Sequence, residues 1–227
     1  MALVQSNGTI VCPRPFGSLK LVASTDSQPL RFIFGLPPQP PVRRWLENEA
    51  VPICRTSWEQ NHIRYTQTVL VTRLSEGDLL PGGVLATDAV LLVNLFGENT
   101  ATEYTVATAA FAVQAGDQTL EVEWRDGFVH LAGPKNTPPL AWVDIPSGGI
   151  AGTRGARLRF QGNLPPATTG SMTVKLPLAA LDREEARQRL QDLNYDEEFQ
   201  RVKRFWIERA KAGRTNGFPI VFAAPGK

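Results

Sequence analysis

The sharpest constraint on this chain is a change of period. Residues 181–213 (LDREEARQRLQDLNYDEEFQRVKRFWIERAKAG) hold its only sustained helical periodicity, while everything before them reads as short strands broken by Gly and Pro. Asp182 followed by Glu185 has capping-box spacing, which marks a helix start. Ala186, Leu190 and Leu193 then share one face. Asn194 and Glu197 repeat the spacing, and Phe199, Val202, Phe205, Trp206 and Ala210 form a second, heavier apolar stripe. Arg209 and Lys211 suit the negative end of a helix, and Gly213 is the expected C′ residue. A stripe with three large aromatics must be covered. The cover is the preceding sheet, a separate domain, or a second copy joined through Phe199, Phe205 and Trp206 in a two-fold dimer.

The first 180 residues alternate in the manner of strands. Residues 3–5 and 9–12 flank Asn7-Gly8, a hairpin signal, and residues 19–24 and 30–34 follow. Residues 35–41 (GLPPQPP) cannot continue a ladder, because proline has no donor. Residues 54–58 and 63–73 form the best strand pair. Its turn covers Glu59 to His62, and Ile63, Tyr65, Gln67, Val69 and Val71 share one face. Residues 84–96 contain a continuous apolar run, the mark of a strand covered on both sides. Residues 104–113, 120–124 and 128–131 continue at sandwich spacing, with Asp126-Gly127 as a second hairpin turn. Residues 142–145, 157–161 and 172–178 complete the set. The loop PSGGIAGTRG (residues 146–155) lacks the Lys-Ser/Thr ending and the following helix of a phosphate loop, so it reads as a surface loop. A closing apolar segment spans residues 218–222.

These patterns predict an all-β fold, a large antiparallel β-sandwich of supersandwich type with two C-terminal α-helices. The sandwich covers residues 1–180, the helices 181–213, and an extension 214–227. At 227 residues with 42% hydrophobic content, the chain suits one large domain. A net charge of +2 argues for no nucleic-acid partner, and no apolar run approaches the ~20 residues that cross a bilayer. No signal peptide precedes residue 15, so the expected location is cytoplasmic for the chain as written, a secreted parent protein remaining open.

Few residues point to chemistry. Cys12 and Cys54 lie in apolar strands and read as free buried thiols. His62 and His130 have no nucleophile elbow near them, and the scattered Cys and His residues make no metal set, so neither cofactor nor metal is expected. Glu59 and Glu123 are the carboxylates that a stand-alone glycosidase on the sandwich face would use. Trp58, Tyr65, Trp124 and Trp142 are the aromatics from which a sugar-stacking platform could be built, Trp58 foremost because it adjoins a polar turn. Each also fits a core position.

The order of the segments resembles a known family. A Cys-x-Thr-x-Trp hairpin running to Tyr-x-Gln-Thr (residues 54–68) precedes Leu91-Leu92-Val93-Asn94-Leu95, an Ile-Pro-x-Gly-Gly loop, and Leu176-Pro177-Leu178. The charged helical leash follows, with Leu-x-Tyr-Asp and Phe-x-x-Val-x-x-Phe-Trp. Together these resemble the N-terminal sandwich and linker helices of bacterial six-hairpin glycosidases. The resemblance implies an accessory or carbohydrate-binding domain whose partners are carbohydrate and an (α/α)6-barrel catalytic domain. That barrel carries the acid and base in such enzymes and would begin where this sequence stops, so no catalytic residue transfers. Activity of the chain by itself is not expected. An oligomerisation module is the remaining alternative.

Overall fold

The computed structural model describes residues 3–4, 10–12, 30–34, 42–48, 51–75, 88–132, 139–145, 150–152, 154–178, 181 and 183–215. Sixteen strands and two helices occupy them in the order β1 (Leu3–Val4), β2 (Ile10–Cys12), β3 (Leu30–Phe34), β4 (Arg43–Asn48), β5 (Val51–Gln60), β6 (Ile63–Arg73), β7 (Ala89–Asn99), β8 (Thr105–Ala115), β9 (Gln118–Leu120), β10 (Val122–Arg125), β11 (Phe128–Leu131), β12 (Ala141–Asp144), β13 (Ile150–Ala151), β14 (Arg154–Gly155), β15 (Leu158–Leu164), β16 (Thr169–Pro177), α1 (Glu184–Asp192) and α2 (Tyr195–Thr215). The predicted all-β sandwich with C-terminal helices is what the chain forms.

Every strand pair is antiparallel. Seven strands make one sheet, in the order β1-β2-β3-β8-β15-β13, with β9 also paired to β8. Nine make the other, in the order β14-β10-β11-β12-β16-β7-β6-β5-β4. The chain changes sheets at Glu121, between β9 and β10, so consecutive short strands tie the layers together.

Strand β7 explains the layering. Its odd residues Leu91, Val93 and Leu95 point into the sandwich with Val69, Phe111, Phe160 and Val174. Its even residues Val90 and Leu92 point outward, where Val51, Ile53, Leu70, Leu190, Phe199 and Val202 bury them. A strand buried on both faces loses the polar alternation, as residues 91–93 do. The architecture therefore has three layers: small sheet, large sheet and helices.

Two tight turns use left-handed backbone. Asn61 and His62 have φ of 51° and 60°, and Asp126 and Gly127 have 51° and 83°, as two-residue hairpins require. At Gly127 a β-carbon would meet the Trp142 ring at 2.3 Å, so both conformation and space demand glycine.

Several local expectations change. Arg183, not Asp182, occupies the N-cap position of α1, with no side-chain cap bond; Asp182 lies outside the described residues. Asn194 does cap α2, its Oδ1 accepting from the backbone N–H of Asp196 at 2.9 Å and of Glu197 at 3.2 Å. Helix α2 continues through Gly213 to Thr215, because adding a turn to an established helix offsets the roughly 1 kcal/mol that glycine costs. The glycine-rich stretch expected to be a surface loop contributes the short edge strands β13 and β14. Strand β4 had no sequence signal. Its charged residues are tolerated because it sits at an edge. The Asn7-Gly8 turn and residues 19–24, 35–41 and 218–222 lie outside the described residues.

Candidate functional site

Between the outer face of the nine-stranded sheet and the start of α2 lies a cleft of about 700 Å³. Its floor is drawn from two rows of the sheet, fixed by register, whose end members Asp144 and Ser57 lie beyond the cleft lining. In the first row Arg55, Thr68, Asn94, Thr173 and Asp144 stand on five successive strands, β5, β6, β7, β16 and β12. In the second, Ser57, Thr66, Phe96 and Ser171 stand beside them. Residues from the α1–α2 elbow, among them Asn194, Tyr195, Phe199 and Gln200, form the other wall.

Charge is confined to the ends of the first row. The Arg55 side chain is ion-paired: its Nε lies 2.7 Å from Glu47 Oε2, a carboxylate it shares with Lys203, and its guanidinium sits 5.3 Å above the Phe199 ring. At the other end Asp144 Oδ2 lies 3.0 Å from Lys175 Nζ. The middle is neutral. Asn94 Nδ2 donates to Thr173 Oγ1 at 2.9 Å, and both residues are 6% exposed. Among the described residues Asn94 Oδ1 accepts no hydrogen bond. Burial pushes the Tyr195 phenol above its ordinary value, against the downward pull of Thr68 and Arg55. It stays a neutral donor through the physiological range.

The floor is hydrophilic but not bare of aromatic surface. Phe96 is 38% exposed, and Tyr195 and Phe199 stand across from it. Neutral donors and acceptors beside aromatic rings can orient a hydroxyl-rich ligand.

The residues singled out from sequence fall elsewhere. Trp58 is 2% exposed and Tyr65 3%, and their rings stack on each other at 5.4 Å between centroids inside the sandwich. They are core, because β5 and β6 turn these alternate positions toward the small sheet. Trp124 packs edge-on against Phe160 at 6.4 Å, in the same core. Trp142 lies on the opposite face of the large sheet, edge-on to Phe128 at 4.8 Å, and its Nε1 donates to Asp144 Oδ1. The four aromatics form no common platform. Phe96 is the one that sequence reasoning missed.

Glu59 and Glu123 are likewise separated. From β10 to β5 there are six strand steps, which at about 4.8 Å each span on the order of 29 Å along the sheet. Paired glycosidase carboxylates stand about 5–10 Å apart. Glu59 is exposed opposite Arg64, and Glu123 lies 3.6 Å from Arg125. The two cannot act on one bond.

The remaining candidates have structural surroundings. His62 sits in the β5–β6 turn, its carbonyl accepting from Thr100 N at 2.9 Å, and His130 lies edge-on to Phe128. Cys54 is a free thiol whose pKa burial raises; the Cys12 side chain lies outside the described residues. Among the described residues no three His, Cys, Asp or Glu side chains group as for a metal, and no helix is long and apolar enough to cross a membrane.

Fold and cleft together define an antiparallel β-sandwich with a helical cover and a polar cleft beneath it. Comparison with known proteins finds no family model, curated protein or solved structure that matches the chain.

Proposed function

We propose that this chain is a carbohydrate-binding accessory β-sandwich, related to the N-terminal sandwich of six-hairpin glycoside hydrolases and serving a helical-barrel catalytic domain. The observation that carries this reading is the neutral cleft over Thr68, Asn94 and Thr173, bordered by Phe96 and Tyr195. Hydroxyl and amide groups match sugar hydroxyls, and aromatic faces match the apolar faces of pyranose rings. The order of sequence segments supports the glycosidase relationship independently. The wide separation of Glu59 and Glu123 along the sheet favours a binding role over a hydrolase that would use the two together.

The test is calorimetric titration of the purified protein with a panel of oligosaccharides, alongside a reducing-sugar assay on the same panel. Saturable binding without sugar release is expected. Release that disappears in Glu59→Gln or Glu123→Gln, with folding intact, would replace this reading with that of a hydrolase.

A further inference from the structure

Resting on the carbohydrate-binding reading, the geometry of the cleft points to a narrower ligand class: we infer that it takes a neutral pyranoside, seated on the Phe96 ring and held by Asn94 and Thr173, and that it rejects uronic acids and sugar phosphates.

Three observations converge. The first is a hydrogen-bonding pair with one donor and one acceptor left over. Asn94 Nδ2 donates to Thr173 Oγ1, which fixes the amide with Oδ1 as the remaining acceptor. Thr173 Oγ1 already accepts that bond, so its own proton is directed elsewhere. An acceptor and a hydroxyl donor on adjacent strands, about 4.8 Å apart in the sheet, complement a sugar hydroxyl, which both donates and accepts. Both side chains are at least nine-tenths buried, so a ligand that leaves them unmatched loses heavily.

The second is the position of Phe96. It is two residues from Asn94 along β7 and projects from the same face, directly between Thr66 and Ser171. Its ring is 38% exposed and is flanked by hydroxyl side chains. It suits a ligand with an apolar face and a polar rim.

The third is charge. Arg55 is the cation among the residues lining the cleft; it stands two strands from Asn94, pairs with the Glu47 carboxylate that Lys203 also contacts, and lies over the Phe199 ring. Asp196 lines the elbow wall and would repel an anion. A carboxylate or phosphate placed over Asn94 would be desolvated without a counter-charge, which is unfavourable.

The experiment uses the full chain and two matched sets of probes, followed by ligand-observed NMR. One set is neutral methyl hexopyranosides and pentopyranosides; the other is the corresponding methyl uronosides and hexose 6-phosphates. Neutral members should bind, and each uronoside or phosphate should bind at least ten-fold more weakly than its counterpart. Phe96→Ala and Asn94→Ala should each weaken neutral binding ten-fold or more, and Phe96→Trp should retain it. Phe96→Ala removes a partly exposed ring, so it keeps the test decisive if Asn94→Ala folds poorly. Anionic members binding as tightly as neutral ones would overturn the inference while leaving the carbohydrate-binding reading intact. Neutral binding indifferent to Phe96→Ala would do the same. No binding by any member, together with none by longer oligosaccharides, would sink both.

Discussion

Lys175 Nζ, on a side chain 2% exposed, donates to the backbone carbonyl of Gln191 at 2.6 Å. The strand β16 thereby grips the last turn of α1, where unpaired carbonyls and the helix dipole favour a cation. Asp144, half in solvent, supplies the counter-charge. One lysine therefore sets where the elbow sits above the cleft.

Replacing this group should loosen the elbow more than the sheet. Lys175→Met keeps most of the apolar stem but leaves the Gln191 carbonyl without its donor. A loss of about 2 kcal/mol is expected, the range for a hydrogen bond to a charged group. Urea unfolding at neutral pH measures it. An unchanged midpoint would mean that water replaces the ammonium at no cost.

The Trp58–Tyr65 stack makes the contest between sugar platform and core measurable. Trp58→Ala should cost about 3–5 kcal/mol, as truncation of a buried tryptophan does. Trp58→Phe should cost less than that, since the smaller ring fills part of the site and the indole Nε1 has no hydrogen-bond partner to lose. Carbohydrate affinity of the phenylalanine variant should match that of the wild type. Lost affinity at full stability would return Trp58 to the binding site.

Asp88 gives the fold an acid-sensitive tie. It closes the β6–β7 connection by accepting from Arg73 Nε at 2.7 Å, Ser75 N at 2.8 Å and Ser75 Oγ at 2.6 Å. Partial burial alone would raise its pKa, but these hydrogen bonds and the Arg73 charge outweigh it and hold the carboxyl below its ordinary value. A depressed folded-state pKa means that the stabilisation is full above the unfolded value and fades as pH falls through the folded one. Stability should therefore drop below about pH 4, near the ordinary aspartate pKa. Asp88→Asn should be weaker at pH 7 and lose less than the wild type between about pH 5 and pH 3. Parallel curves for the two proteins, from urea midpoints across that range, would remove Asp88 from this role.

Much of this architecture was legible because a period of two is visible within a single strand. The alternation of Ile63, Tyr65, Gln67 and Val69 assigned one face of β6 to the core, and the run Leu91–Val93 announced burial on both sides. The cleft was illegible for the complementary reason. Thr68, Asn94 and Thr173 meet only through the β6–β7 and β7–β16 registers, and Asn94 and Thr173 lie 79 residues apart in the chain. No local pattern encodes that pairing. Alternation left Trp58 open between platform and core: it identified a strand beside a polar turn but not which face pointed inward. Phe96 went unnoticed because an apolar residue ending an apolar run looks like core, whereas its even position turns it to the outer face.

The stripe on α2 yields the last prediction. Phe199 is buried with Val202 against Val51, Ile53 and Leu70, while Phe205 and Trp206 are partly buried beside them. Two polar ties hold the helix in place. Thr72 and Arg201 both contact the Glu198 carboxylate, and Lys203 Nζ donates to Glu47 Oε1 at 2.7 Å. The sheet thus covers Phe199 and part of the Phe205 and Trp206 surface. The protein should run as a monomer in light scattering at micromolar concentration. Phe199→Ala, a truncation in the buried layer, should cost about 3–5 kcal/mol, and Trp206→Ala, with part of its ring in solvent, about 2 kcal/mol. A wild-type dimer that Trp206→Ala converts into an equally stable monomer would show that the outer half of the stripe serves a second copy instead.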